Sequence, residues 1–404
     1  MAEVVIAHLG AKGDGVAMRD GEAVYVPFAL PGERWRLAPQ EAVRLTDSEE
    51  RAAPACRHFM QCGGCVAQHM APALYREWKR DLVVEAFRHR GIAAEVAPLV
   101  VVDAASRRRA FLGMERRGGE VIIGFREEGQ HTLVDLAECP VLDPLIVGAL
   151  PGLRALAQRV MADRAGGRLV VTRLDHGLDV SFDNGRRDLS PHERSEIGAL
   201  AQRMGLLRLV VGGELIVAAG RPVVTIGGVA VEIEPGLFLQ AVPEAERMLA
   251  AHCLAALPKS VKRVADLFSG AGTLTLPVAR RASVTAYDSD KRAIGALSAA
   301  VRHAQGLKPV TALVRDLFRD PLSVRELAQF DAVVLDPPRA GAAAQAERLA
   351  KSTVPVVIAV SCSPATLARD ARVLIDGGYR MGPVMPIDQF LYSPHVEAVV
   401  VFRR

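Results

Sequence analysis

From residue 243 onward the chain alternates short, uncharged, β-branched runs with stretches of helical length, and this rhythm restricts the fold more than any other feature. It predicts helix 243–257, strand 262–268, helix 273–281, strand 283–288, helix 290–304 and strands 309–314 and 330–335. Helix 342–352, strand 354–360, helix 364–376 and a closing hairpin over 379–403 follow. Runs such as Val354 to Val360 are apolar throughout, as strands buried on both faces are, and parallel strands need crossover helices. The expected class is α/β, a Rossmann-like doubly wound sheet.

The earlier sequence has other rhythms. Residues 1–45 hold short, partly alternating apolar runs separated by turns at Gly10, Gly13, Gly15 and Gly21, which suits a small OB-like β-barrel. A Cys-rich segment at 54–70 precedes an amphipathic helix over 73–90 that stops at Gly91. Between 97 and 240, strands alternate with helices at 143–164 and 190–204, an α+β pattern. The expected domains are 1–50 (OB-like), 51–240 (central, α+β) and 241–404 (doubly wound).

A chain of 404 residues that is 50% hydrophobic can bury a core of this size. No uncharged apolar run reaches the about 18–20 residues that cross a bilayer. The N-terminal sequence has no basic flank leading into an apolar core, so no signal peptide is expected and the cytoplasm is the expected location. Segment 51–130 carries thirteen Lys and Arg against nine Asp and Glu, a surplus equal to the whole chain's +4. Its densest patch, Arg107-Arg108-Arg109 with Arg116-Arg117, suits phosphate contacts as well as a solvated face.

Three motifs lie where open α/β sheets place their chemistry, just past strand ends. Asp266-Leu267-Phe268-Ser269-Gly270-Ala271-Gly272-Thr273 is a strand, a glycine turn and a helix start, where backbone donors approach a ligand closely. Asp288, twenty-two residues after Asp266, ends the next strand and suits a ribose hydroxyl. Asp316 after the following strand is placed to face an adenine, and helix capping is the plainer role for both acids. An acid before the loop, with no P-loop lysine, fits S-adenosylmethionine better than a nucleoside triphosphate.

Asp336-Pro337-Pro338-Arg339 stiffens a turn that holds a carboxylate in the cleft. Cys362, in Ser361-Cys362-Ser363-Pro364, follows the next strand. A thiolate there can add to carbon 6 of a uracil and make carbon 5 nucleophilic toward a sulfonium methyl. A base must then take the carbon 5 proton, and Glu397, in His395-Val396-Glu397, is the candidate, with Asp336 holding the ring NH. Cys56, Cys62, Cys65 and Cys139 form four soft ligands that suit either structural zinc or an iron–sulfur cluster, the compact triplet leaning toward the latter. Cys253, inside a predicted helix, reads as core.

Cys56 to Cys65, Phe238-Leu239-Gln240, Asp266 to Gly272, Asp336 to Arg339, Ser361 to Pro364 and His395 to Glu397 resemble, in order, the RNA uracil-5-methyltransferase family. Residues 1–45, with Leu30-Pro31-Gly32-Glu33, are similar to the TRAM domain of some members. The resemblance implies a 4Fe–4S cluster on Cys56, Cys62, Cys65 and Cys139. It implies S-adenosylmethionine contacts from Gln240, Phe268, Thr273, Asp288, Asp316 and Asp336, with Cys362 as nucleophile and Glu397 as base. A TRAM domain together with a cluster resembles members acting on 23S rRNA, with no obligate protein partner; the alternatives are the same reaction on tRNA, or an RNA-binding assembly factor with a vestigial catalytic domain. The chain departs from the family at Val242, Thr273 and Ser363, where Asn is usual, and at Asp288, where Glu is commoner.

Overall fold

Strands apolar on both faces have to lie inside a sheet covered by helices. The computed structural model, which describes residues 2–38, 41–117 and 119–404, carries such a sheet with eight strands. Across it run Val310–Val314, Ser283–Asp288, Arg263–Leu267, Ala332–Leu335, Val356–Ser361, Glu397–Arg403, Arg380–Asp388 and Val100–Val101. The five strands from Val310–Val314 to Val356–Ser361 are parallel, and Glu397–Arg403 then runs antiparallel to both of its neighbours. The order of strands reverses between Arg263–Leu267 and Ala332–Leu335, the switch point at which such sheets open a crevice.

Successive side chains point to opposite faces, so one strand feeds two cores. Val333 and Leu335 join Leu267, Ala359 and Leu367 on one side, whereas Ala332 and Val334 join Val264, Ile358 and Leu249 on the other. Each fully buried aliphatic side chain of this kind contributes about 1.5–3 kcal/mol. Helix Pro72–Arg88 belongs to this packing too. Its Val83 and Phe87 enter the first core, and the helix lies against Pro364–Asp376. Helices Pro72–Arg88, Pro144–Val160, Pro191–Arg203, Pro243–Ala256 and Pro364–Asp376 all start on proline, whose missing N–H costs nothing in the first turn.

A second sheet of six strands spans Arg109–Ala218, and helices Pro144–Val160 and Pro191–Arg203 pack on it through Leu150, Leu153, Leu156 and Ile197. The N-terminal strands form two three-stranded antiparallel sheets around Val4, Ile6, Ala17, Val26 and Trp35, the small OB-like unit that the turns indicated. The helix expected over 273–281 is confined to Thr275–Ala279. The glycine loop ahead of it is wound in the left-handed region, with φ of 63° at Phe268, 55° at Gly270 and 103° at Gly272, and that geometry delays helix entry. Among the described residues, no helix is long and apolar enough to cross a membrane.

Candidate active site

The strand ends bring together residues far apart in sequence. Phe268, Asp288, Asp336 and Cys362 follow or end neighbouring parallel strands, and all line one cavity of about 520 Å³. Glu397 reaches it from the opposite direction. Its strand is antiparallel and pairs Ala398 with Ser361, so the next step along the sheet edge sets Glu397 beside Cys362. Gln240, from the turn before helix Pro243–Ala256, closes the cavity, together with Thr273 and Arg339.

The glycine loop is held by acids on both sides. Asp288 accepts from Gly270 N at 2.8 Å and from Asp290 N at 2.8 Å, so both of its oxygens tie down backbone while the side chain lines the cavity. Asp266 accepts from the Thr275 hydroxyl, and burial pushes its carboxyl up to about 7 against that bond. Its second oxygen, Oδ1, and Ser269 Oγ are buried without a partner. Buried polar atoms are rarely left so. A Cβ at Gly272 would stand 2.7 Å from Leu297, so only glycine allows this loop to sit on the helix behind it.

A polar chain connects the two catalytic carboxylate candidates. Gln240 Nε2 donates to Asp336 Oδ2 at 2.9 Å, and Gln389 Nε2 donates both to Gln240 Oε1 at 2.9 Å and to Glu397 Oε2 at 2.7 Å. Burial first, and then the charge of Asp336, pushes Glu397 up to about 8 against its bond from Gln389. Asp336 is raised by its depth as well, although one edge stays open to the cavity and lets water oppose the shift. Cys362 is lifted to about 11 by burial and then by Glu397 and Asp336, while Arg339 pulls the other way. Burial thus biases the Cys362 thiol and both carboxyls toward their neutral forms.

Some expected residues stand elsewhere. Asp316 is not part of the cavity wall; its Oδ1 accepts from Phe318 N at 3.0 Å and Arg319 N at 3.3 Å in a capping turn. Phe318 takes the wall position instead, its ring 5.4 Å from that of Phe268. Neither Phe318 nor Gln389 was singled out from the sequence, since a single aromatic or amide outside a recognisable motif carries no periodic mark. Phe111, Phe238 and Phe318 are exposed at the mouth, and the Arg109 guanidinium stands 4.5 Å from the Phe111 ring centre and 6.0 Å from that of Phe238. His395 lines a neighbouring cavity, its imidazole driven down to about 4 by burial and by Arg339, Lys79 and Arg107.

That second cavity, about 560 Å³, is walled by Cys56, Cys62, Cys65 and Cys139 and shares Arg107, Arg339 and Phe390 with the first. Among the described residues, however, no three or more His, Cys, Asp or Glu side chains are placed to hold a metal ion. Burial raises Cys62, Cys65 (to about 12) and Cys139 and so favours their neutral thiol forms. Cys253 is buried in core, as its helix position implied.

Comparison with known proteins agrees with this arrangement. Residues 235–404 match the family model described as tRNA (Uracil-5-)-methyltransferase. An uncharacterized RNA methyltransferase of Brucella suis is 46% identical over 407 residues, which is 100% of this chain and 98% of the relative. The 23S rRNA (uracil(1939)-C(5))-methyltransferase RlmD of Pectobacterium atrosepticum is 33% identical, with 99% of this chain and 93% of that protein covered. In fold, the chain is similar to the crystal structure of Pyrococcus abyssi tRNA (uracil-54, C5)-methyltransferase in complex with S-adenosyl-L-homocysteine. The TM-score is 0.76 at 23% identity, covering 99% of this chain and 100% of that one.

Proposed function

This chain belongs to the RNA uracil-5-methyltransferase family, and from that premise we propose that it methylates carbon 5 of a specific uridine in 23S rRNA with S-adenosylmethionine as donor. The observation that carries the reading is the meeting of Cys362, Asp336 and Glu397 on one cavity. Cys362 reacts as its thiolate, the S–H proton having been lost to solvent: Sγ adds to carbon 6 of the uracil, and the displaced π pair makes carbon 5 the nucleophile. S-adenosylmethionine, when bound, supplies a methyl group made electrophilic by a sulfonium. Asp336 holds the ring N3–H while carbon 5 is methylated. Glu397 then takes the carbon 5 proton, the C5–H pair forms the double bond, and the C6–S bond breaks to return the thiolate.

The donor's site is proposed on Gln240, Phe268, Thr273, Asp288 and Asp336. Support comes from the partnerless Asp266 Oδ1 and Ser269 Oγ in the same wall, which a ligand's ammonium or hydroxyl would satisfy. Asp316, whose Oδ1 caps a turn outside the cavity wall, is proposed as the outermost of these contacts. A base inside a duplex cannot reach Cys362, so the uridine has to be flipped or displayed in a loop. The exposed Phe111 and Phe238 around Arg109 suit unstacked bases. The proposed division of labour gives RNA grip to 1–50 and 51–240 and donor binding to 241–404. The proposed location is the cytoplasm, where such RNA is modified.

A 4Fe–4S cluster on Cys56, Cys62, Cys65 and Cys139 is the finer part of the reading. Support is their common cavity, because a multi-iron cluster spreads its thiolates wider than one tetrahedral zinc does. Such a cluster would tie the Cys-rich segment to Cys139. Anaerobically purified protein should be brown, with iron and sulfide in equal amounts; zinc alone would overturn this part.

Trapping tests the main reading. Fluorine at carbon 5 cannot leave as a proton does, so 5-fluorouridine-substituted 23S rRNA with S-adenosylmethionine should give a covalent protein–RNA band on a denaturing gel. A band with tRNA only would move the substrate, and no band with either RNA would sink the mechanism.

A further inference from the structure

Gln389 sits just past strand Arg380–Asp388 and is 1% exposed. An amide nitrogen has two hydrogens, and both are committed here, one to Gln240 Oε1 and one to Glu397 Oε2. Rotating the amide would set its oxygen against a carboxylate and a carbonyl, so chemistry fixes its direction. The donors therefore run one way, from Gln389 through Gln240 to Asp336. Glu397 is left with one oxygen held and the other, Oε1, buried without a partner in the cavity wall.

The backbone on both sides of Gln389 is pinned. Ile387 pairs with Glu397 across the strands, so the amide and the carboxylate it holds start from one register. Asp388 Oδ1 accepts from Phe390 N at 3.1 Å and from Lys79 Nζ at 2.7 Å, and Lys79 also donates to the Phe390 carbonyl at 3.2 Å. An amide set in so stiff a frame selects one orientation of the carboxylate.

We infer that Gln389 is a positioning residue for the release step: by holding Glu397 Oε2 it leaves Oε1 to take the carbon 5 proton, and through Gln240 it keys that carboxylate to Asp336. The inference rests on the uracil-methylation reading. As Oε1 takes the proton, the C5–H pair becomes the C5–C6 double bond, the C6–S bond breaks, and its electrons return to Cys362. Addition of Cys362 and methylation of carbon 5 come earlier and do not need Gln389.

Gln389→Met keeps the volume and removes both hydrogen bonds. With 5-fluorouridine-substituted rRNA it should trap as well as the wild type, within about twofold. On ordinary rRNA its turnover should fall about tenfold or more, the effect of losing a hydrogen bond to a charged group. A methylated protein–RNA adduct, which the wild type releases, should accumulate. Should Gln389→Met fail to fold, Gln389→Asn, which withdraws the amide by one methylene, must show the same split. Turnover within twofold of wild type, or equal loss of trapping and turnover, would overturn the inference. Failure of the wild type itself to trap would instead remove the methylation reading on which it stands.

Discussion

The ammonium of Lys79 and the carboxylate of Asp388, neither of them exposed to solvent, meet at 2.7 Å between the first long helix and the strand that leads to Gln389. The Tyr75 hydroxyl donates to the same carboxylate and accepts from Tyr392 N at 2.8 Å. The Tyr392 carbonyl in turn takes Val66 N at 2.7 Å and Ala67 N at 3.2 Å, directly after Cys65. One buried ion pair thus fastens both the Cys-rich segment and the loop that leads into the strand of the base.

Removing one partner of such a pair leaves an uncompensated buried charge. Lys79→Met should cost about 3–5 kcal/mol, read as a lower urea midpoint. The double variant Lys79→Met, Asp388→Leu should recover a large part of that loss, because two apolar groups leave no charge unpaired. An unchanged midpoint in the single variant would show that the pair does not hold the fold together.

Cys362 reacts but does not support the core. Cys362→Ala should abolish the covalent band and lower methylation about a thousandfold or more, since the split into two easier steps is lost. Its urea midpoint should stay at or above that of wild type, because the thiol is partly exposed at the cavity. Methylation surviving in this variant would require another nucleophile, and the described cavity wall contains no second cysteine.

What the sequence made legible follows from what marks a sequence. Asp336 and Cys362 stand after unmistakable apolar strands, so strand-end logic reached both, and Glu397, in the second strand of the closing hairpin, was reached because the Cys362 chemistry demands a base. The two-residue strand Val100–Val101 is too short for a period, and nothing in the sequence shows that helix Pro72–Arg88 packs on the far sheet instead of the central one. Asp316 shows the ambiguity of such a position, because a capping aspartate and a ligand-binding aspartate occupy the same place after a strand. Gln389 belongs to no motif, although it directly follows a strand. Its role comes from the register that pairs Ile387 with Glu397.

Two acids near the donor site should respond unequally to removal. Asp288 anchors Gly270 N and Asp290 N, so Asp288→Ala frees the glycine loop and should weaken S-adenosylhomocysteine binding about tenfold or more by calorimetry. Asp316→Ala should change that affinity by less than about twofold, since its bonds stay within its own turn. Equal losses from both would place Asp316 beside Asp288 among the donor's inner contacts.

The buried carboxyls also fix how stability changes with pH. Glu397 is raised from 4.5 to about 8 and Asp266 from 3.8 to about 7, burial being the first cause of each. Between the unfolded and folded values the native state binds protons that the unfolded chain has released, so stability falls as pH rises. The contribution is complete below about pH 4 and is lost by about pH 8. Glu397→Gln, which cannot ionise, should remove part of that decline and leave the variant more stable than wild type at alkaline pH. Activity should move the other way, because the base must be ionised to take the carbon 5 proton, and wild-type turnover should climb with pH through the same window. Urea midpoints and single-turnover rates across that window measure the two trends. A stability profile that stays flat in the wild type would mean that Glu397 and Asp266 are already ionised in the folded protein.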